Sequence, residues 1–418
     1  MNNKIYVCID LKSFYASVEC VERGLDPFEI NLVVADPTRG GGAITLAATP
    51  AIKKLGVPSR GRIYEIPKNI EYIIAPPRMT LYMQYSATIY SIFLKYVSSD
   101  DIHVYSIDES FLDITSYLTL YSTTPKQLAK MILDEIYDQT GITATAGIGT
   151  NLFLAKVALD ITAKHTKDCM GYLDEDLFKQ LIWHHQPITD IWTIGPGTAS
   201  RLSMLGIKDL YGVAHYNEKN LYKIFGINAE YLIDHAWGRE PVQISDIKAY
   251  RPSSNSISNS QILFEDYNYK DAYLIMKEMV ESNVLQLTEK HLVTNQISLF
   301  IGYSKNCIKP SRGSRKITNT TNSYRILLDE FKLLYKKIVN PNYLIRQIGI
   351  SFGNVKDEIY EQFDLFADQE DIEKEKRVQE TLVHIRNKYG KNAVLKGMNF
   401  YEKATQRKRN GLVGGHNA

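Results

Sequence analysis

Two stretches decide the fold between them: KIYVCIDLKSFYASVE, residues 4–19, and HVYSIDESFLDI, residues 103–114. KIYVCI is an apolar run of strand length that ends at Asp10, and SFYASVECVER continues with the apolar spacing of a helix. HVYSIDESFLDI reads as a strand, a tight turn and a second strand. Outward from it, PKQLAKMILDEIYDQTG (125–141) is a helix that Pro125 opens and Gly141 stops, with Leu128, Ile132 and Ile136 on one face. GITATAGIG (141–149) is a strand, and NLFLAKVALDITAKH (151–165) a helix. Strand–helix–strand–strand–helix–strand is the order of a split βαβ, ferredoxin-like α/β sheet.

The remaining segments hang on that core. Residues 23–79 form an insertion rich in Gly and Pro, with TRGGG at 38–42 and a short helix, AIKKLG, stopped by Gly56. Residues 170–240 read as short helices broken by glycines. SDIKAYRPSSNSISNS (245–260) reads as a polar linker. Strand-like QILFED, NQISLFIGYS and IRQIGISFGNV then alternate with amphipathic helices around 270–288 and 323–339, a second α+β domain. Beyond Val355 come an acidic stretch, a helix (IEKEKRVQETLVHIRNKYG) and a basic, Gly-containing tail. A chain of 418 residues, 44% hydrophobic and 23% charged, is too long for one ordinary domain and has the composition of a folded, soluble protein.

Several function classes are excluded. Cys8, Cys20, Cys169 and Cys307 are scattered without a C-x-x-C pair, which argues against a zinc site or a disulfide framework. No apolar run approaches the roughly 20 residues that span a bilayer. MNNKIYVCID meets an aspartate too soon for a secretory signal, so a cytoplasmic location is expected and no membrane partner. Net charge is only +2, but from Asp246 to Arg346 fifteen Lys/Arg face nine Asp/Glu, an excess of six. Lys305, Lys309, Arg312, Arg315 and Lys316 occur there with no acid among them, the footprint expected of a phosphate backbone.

Asp10 closes the first strand, and Asp108 and Glu109 sit at the tip of SIDES. In a split βαβ sheet those strands are neighbours, so three carboxylates meet at one end. Like charges packed together raise one another's pKa unless cations neutralise them. Magnesium takes hard oxygen ligands and keeps part of its shell for phosphates. Two such ions about 3.5–4 Å apart clamp the attacking and leaving oxygens of an in-line displacement, and Mn2+ can substitute. Phe14 and Tyr15 follow at once on a helix, and a Tyr15 ring lying against the sugar C2′ would exclude a 2′-hydroxyl. Lys53 and Lys164 are candidate triphosphate contacts. IWTIGPGTASRLSMLGI (191–207) has the form of a helix-hairpin-helix, in which Gly195 and Gly197 let a phosphate approach the backbone. Arg251 and the basic stretch are expected to hold the duplex from the other side.

ID-LKSFYASVE with SIDES, followed by GIGTNLFLAKVALDITAK, resembles the Y-family translesion DNA polymerases, in particular their UmuC- and UvrX-like bacterial branch, and is also related to the DinB type. The resemblance covers nearly the whole chain. It implies a right-hand polymerase: palm, residues 1–22 and 80–170; small fingers, 23–79; helix-hairpin-helix thumb, 171–240; α+β little finger, 246–356; and a C-terminal tail, 357–418. It implies Asp10, Asp108 and Glu109 as metal ligands with help from the Leu11 carbonyl, and Tyr15 as a steric gate. Phe14 would touch the triphosphate through its backbone and Lys164 through its side chain. Pro50 and Lys53 stand where many DinB relatives carry Tyr and Arg.

Gln362, Phe363, Asp364, Leu365 and Phe366 resemble the pentapeptide that hooks a β-type sliding clamp. The implied activity is low-fidelity, distributive, two-metal extension of primer ends past damaged bases in DNA repair and SOS mutagenesis. Its partners would be primer-template DNA, deoxynucleoside triphosphates and the clamp, with SOS regulatory proteins and a recombinase filament implied by UmuC-type relatives. A nucleotidyl cyclase would need neither the hairpin nor the clamp peptide, and a non-catalytic DNA-binding accessory would lack a carboxylate.

Overall fold

The computed structural model describes residues 4–359 and 369–417. The chain forms two compact units, Met1–Tyr250 with His416–Ala418, and Arg251–Gly415.

In the first unit β1 (Tyr6–Leu11) leads through Ser13 into α1 (Phe14–Val21). A small sheet follows, made of β2 (Leu32–Val34), β3 (Ala47–Ala48) and β4 (Ile73–Ala75), with α2 (Pro50–Lys54) packed on it through Ile52. Then come α3 (Met79–Tyr96), β5 (Ile102–Val104), β6 (Glu109–Asp113) and α4 (Thr115–Leu120). α5 (Pro125–Thr140), β7 (Ala144–Gly149), α6 (Leu152–Val157) and β8 (Met170–Leu173) complete the core. The central sheet runs β5-β6-β1-β7-β8. β1 is antiparallel to both β6 and β7, while β8 runs parallel to β7. β1 lies in the middle because its apolar residues on both faces are buried.

Local signals account for the ends of α5. Thr124 and Gln127 form a reciprocal capping box ahead of Pro125, and Gly141 takes the left-handed conformation (φ 68) that closes the helix. α6 sits unusually close to the sheet. A Cβ on Gly147 would lie 2.1 Å from the Ala155 carbonyl, and one on Gly149 would lie 2.2 Å from the Ala155 amide. Two bare backbone positions on one face of β7 therefore set where α6 rests. The expected single helix over 151–165 is instead α6, then a π-helical turn at Ala158–Thr162, then a 3₁₀ turn. Such turns recur at functional sites.

Two other expectations need correction here. The helix α3 was not foreseen, because its many tyrosines and threonines blur the 3.6-residue period. Residues 171–173 are not part of a helical region; with Met170 they form the edge strand β8, whose alternation is too short to read. The helices after it are α7 (Glu175–Leu181), α8 (Pro196–Met204), α9 (Leu210–Ala214), α10 (Glu218–Phe225), α11 (Asn228–Ala236) and α12 (Ile244–Ala249). Phe178, Leu202, Leu221 and Leu232 are among the side chains that close their core.

The second unit is a four-stranded antiparallel sheet with helices on one face. Its elements are β9 (Asn255–Tyr267), α13 (Tyr269–Glu289), β10 (Leu292–Tyr303), β11 (Ser311–Thr321), α14 (Tyr324–Ile338) and β12 (Ile345–Asp357). The strand order is β11-β10-β12-β9. The stretch read as a linker is thus α12 followed by the first half of β9. Its short polar residues hid a strand that is held by backbone pairing to β12 and shows Ser258 and Ser260 to solvent.

The supposed tail is also built into this unit. α15 (Gln369–Tyr389) and the turns around Gly397–Phe400 and α16 (Gln406–Arg409) belong to it. Buried Glu278 of α13 accepts hydrogen bonds from Asn399 Nδ2 and the Thr405 amide, both 2.8 Å, and from the Gln406 amide at 3.2 Å. Sequence alone did not reveal this, because the partners lie more than a hundred residues apart. The peptide 362–366 lies outside the described residues. No helix among them is long and apolar enough to cross a membrane.

Removing the Glu278 carboxylate strands buried amides, so Glu278→Ala should destabilise the second unit by about 2–3 kcal/mol. Urea unfolding measures this; a midpoint equal to wild type would contradict the docking.

Candidate active site

The site grows from the register of β1 and β6. Asp10 is the direct cross-strand partner of Glu109, and the Leu11 amide donates to the Asp108 carbonyl at 2.9 Å. Directly opposed residues share a face. Cys8, two residues from Asp10, is on that face too, and α6 covers it. Asp108 sits in the hairpin turn, where Ser106 Oγ donates to its Oδ1 at 2.6 Å.

Electrostatics divides the three carboxylates. Burial, and after it the charge of Asp108, push the Asp10 carboxyl up to about 7. Glu109 is buried and engaged: Lys156 Nζ donates to its Oε2 at 2.9 Å and the Cys8 thiol to its Oε1 at 3.2 Å. Burial works against a charge on Lys156, but Cys8, Glu109 and Asp160 outweigh it and raise its pKa. Lys156 also reaches Asp160, which accepts from Lys164 Nζ at 3.0 Å.

The sequence reading missed Lys156. Its signal was the GIG of β7 just before an Asn-capped helix, which fixes α6 against the sheet at the carboxylates.

Among the described residues no three acidic, histidine or cysteine side chains close on a single point. The expected meeting of three carboxylates is therefore met in the backbone and not in the side chains, because Lys156 and Cys8 hold Glu109. The donor chemistry still fits a divalent cation. Asp10 and Asp108 crowd each other enough to raise a pKa, and their oxygens are hard ligands.

The turn from β1 to α1 is strained. Ser13 has φ 52, a left-handed conformation uncommon for a residue with a Cβ and frequent at functional sites. Its Oγ accepts from Lys53 Nζ at 2.8 Å, and burial lowers the pKa of Lys53. Phe14 is buried and leaves only its backbone to the turn. Tyr15 is half-buried, its ring stacked on Tyr82 with centroids 4.5 Å apart and an interplanar angle of 16°.

Other expected residues are spread more widely. Gly195 caps α8 and Gly197 lies in its first turn; a Cβ on either would meet nothing within 4 Å. The first helix of that hairpin is reduced to a 3₁₀ turn, Ile188–Asp190. In the second unit the basic residues are divided between the two faces of the sheet and the loops beside it. Arg312 and Lys316 alternate onto the open face of the sheet, Arg312 against the Phe300 ring. Arg315 points to the helical face and pairs with Glu330, so it is exposed on the opposite side of the strand from Arg312 and Lys316. Lys305 lies in a turn after β10, and Arg251 is exposed ahead of β9.

This fold is that of the Y-family DNA polymerases: the chain is similar to a solved Y-family DNA polymerase chimera with a TM-score of 0.66 and 23% identity, covering 84% of this chain and 99% of that one. The chain belongs to the impB/mucB/samB family, whose model matches residues 9–160 and whose C-terminal domain model matches residues 254–365. It is 32% identical to the putative UV-damage repair protein UvrX of Bacillus subtilis, over 99% of this chain and 97% of that protein. It is 28% identical to DNA polymerase IV 2 of the same organism, over 100% and 99%. The resemblance read from ID-LKSFYASVE and SIDES is borne out. Divalent-metal dependence goes with membership of the family.

Asp10 must lose its proton before it can bind a cation. Apparent Mn2+ affinity should therefore climb about tenfold per unit as pH rises towards about 7 and level off above it. Titration followed by electron paramagnetic resonance reads this, with Asp10→Asn as a weak, flat control. A wild-type affinity constant from about pH 6 to about pH 8 would contradict the assignment.

Proposed function

We propose that this chain is a template-directed DNA polymerase that extends primer 3′ ends past damaged bases. The observation that carries the reading is the pairing of Asp10 with Glu109, beside Asp108, on the central strands of a polymerase-type sheet. Asp10, Asp108 and Glu109, with the Leu11 carbonyl, would hold two Mg2+ ions. When bound, the ions supply charge stabilisation for the attacking 3′-hydroxyl and the departing pyrophosphate.

The chain's own residues do the rest. To hold a cation Glu109 would have to be released by Lys156, which would keep its bond to Asp160 and remain as nearby positive charge. Lys53 and Lys164 are both near enough to Asp10 for charge to act between them, and they would receive the triphosphate with the Phe14 backbone. Tyr15 closes the space beside the sugar and excludes a 2′-hydroxyl.

In this reading the five-stranded sheet and its helices are the palm, and the small sheet around Val33 is the fingers. The helices from α7 onward are the thumb, and the second unit is the little finger. The amides at Gly195 and Gly197 approach a DNA phosphate, since neither glycine is demanded by its neighbours. Arg312 and Lys316, with Lys305 and Arg251, line the second unit's share of the duplex. The work falls to DNA repair in the cytoplasm during an SOS response, with a recombinase filament and regulatory proteins as further partners. Gln362 to Phe366 tether the enzyme to a sliding clamp.

Primer extension with Mg2+ and four deoxynucleotides, on undamaged and abasic templates, tests the activity. Asp108→Ala should lower insertion at least about a thousandfold; extension equal to wild type would eliminate the catalytic assignment. Deleting residues 362–366 should leave extension of naked primer within about twofold and remove stimulation by a bacterial clamp. Surviving stimulation would reduce that peptide to a connector.

A further inference from the structure

α1 carries a second acidic residue that the chemistry above does not use. Glu19 is completely buried, one helical turn beyond Tyr15 and on the same face. A lone buried carboxylate is costly, and this one is surrounded by donors. Arg78 grips it with two parallel bonds, Nε to Oε1 at 2.9 Å and Nη2 to Oε2 at 2.8 Å. Arg23 Nη1 reaches Oε2 as well, and the Tyr82 hydroxyl donates to Oε1 at 2.7 Å. Burial pushes the Glu19 carboxyl up, but the bonds from Arg78, Tyr82 and Arg23 outweigh it and hold it below the usual range.

Tyr82, itself fully buried, is the ring on which Tyr15 stacks. Tyr15 and Glu19 on α1 thus meet the same residue of α3, one through its ring and the other through its hydroxyl. One face of the Tyr15 ring is taken by Tyr82, so the exposed part of Tyr15 can only be turned away from α3. The Tyr82 ring cannot swing aside without breaking a bond to a carboxylate that two arginines already fix.

We infer that Glu19 is a positioning residue for sugar selection: clamped by Arg78 and Arg23, it locks Tyr82 as the backstop that holds Tyr15 against the nucleotide's C2′ side. The inference rests on the reading of Tyr15 as the gate. A gate that excludes one hydroxyl works only if its ring cannot retreat by the size of that hydroxyl, and the stack on an immobile ring supplies that stiffness. Glu19, Arg23, Arg78 and Tyr82 touch neither substrate nor metal ligands in this scheme and act through Tyr15 alone.

The test is single-nucleotide insertion by the full chain on a primer-template. It compares kcat/KM for a deoxynucleotide with kcat/KM for the matching ribonucleotide. Tyr15→Ala should raise relative ribonucleotide use about a hundredfold. Tyr82→Leu should raise it roughly tenfold, mainly through a lower ribonucleotide KM, with deoxynucleotide use within about threefold of wild type. Tyr82→Phe, which keeps the stack, should shift it less than Tyr82→Leu. Arg78→Met, at a half-exposed side chain and with Arg23 still paired to Glu19, should move it in the same direction by about threefold. The double variant Tyr15→Ala with Tyr82→Leu should select no worse than Tyr15→Ala alone, since both remove one gate.

If Tyr15→Ala relaxes selection while Tyr82→Leu and Arg78→Met keep the wild-type ratio, the backstop is refuted and the gate stands. Additive effects in the double variant also refute the backstop. If Tyr15→Ala leaves the ratio unchanged, the gate itself falls, and this inference with it. Should Tyr82→Leu not fold, Arg78→Met and Tyr82→Phe decide the matter.

Discussion

Asp10 and Glu109 face each other across the two central strands of the sheet, and Asp108 adds a third acidic group one residue away. Such crowding is unfavourable in a half-buried place, and the protein answers it twice. Asp10 yields by taking a raised pKa. Glu109 is answered by Lys156, brought down on α6 to hydrogen-bond distance. Several features of the first unit hold this unfavourable cluster together. β1 is central and buried on both faces, Gly147 and Gly149 let α6 descend, and a left-handed Ser13 turns the chain at once into α1.

In the proposed reading, the carboxylates now protonated or held by a lysine would become ligands when a cation binds, with Lys156 still close to Asp160. The same turn that delivers Asp10 delivers Tyr15, so in the proposed reading the metal centre and the sugar gate would share one strand-to-helix junction. α3 stiffens that junction from behind, through the Tyr82 ring and the buried Glu19. The second unit has a different physics. Its helical face is sealed partly by polar bonds to Glu278 from residues beyond 390, while its open face shows serines, Arg312 and Lys316.

How far the sequence could be read follows from the same physics. The core sheet was legible because Asp10 stands at the end of the KIYVCI run, the hairpin of β5 and β6 turns at Asp108 and Glu109, and α5 carries explicit caps in Thr124 with Gln127 and Gly141. Asp10, Asp108 and Glu109 stood out together, because an acidic strand end and an acidic hairpin tip on neighbouring strands are more specific than either alone, which would read as ordinary turn chemistry. Lys156 was not, since a lysine in a helix carries no mark of the carboxylate it meets. The first half of β9 was missed because pairing, not hydrophobicity, holds Asn255 to Ser260 in a strand. Arg315 was grouped with Arg312 because charge along a chain ignores the alternation that sends neighbours to opposite faces. Glu19 looked like an ordinary helix glutamate until Arg78 and Tyr82, about sixty residues away, were seen to close on it.

The most direct test is a crystal structure of the full chain with primer-template DNA, a non-hydrolysable deoxynucleotide and Mg2+. The expected result is two ions bridging Asp10, Asp108 and Glu109 to the triphosphate, with the Glu109 carboxylate released from Lys156 Nζ. Ions bound elsewhere, or a Glu109 still locked to Lys156 with nucleotide and metal in place, would contradict the account.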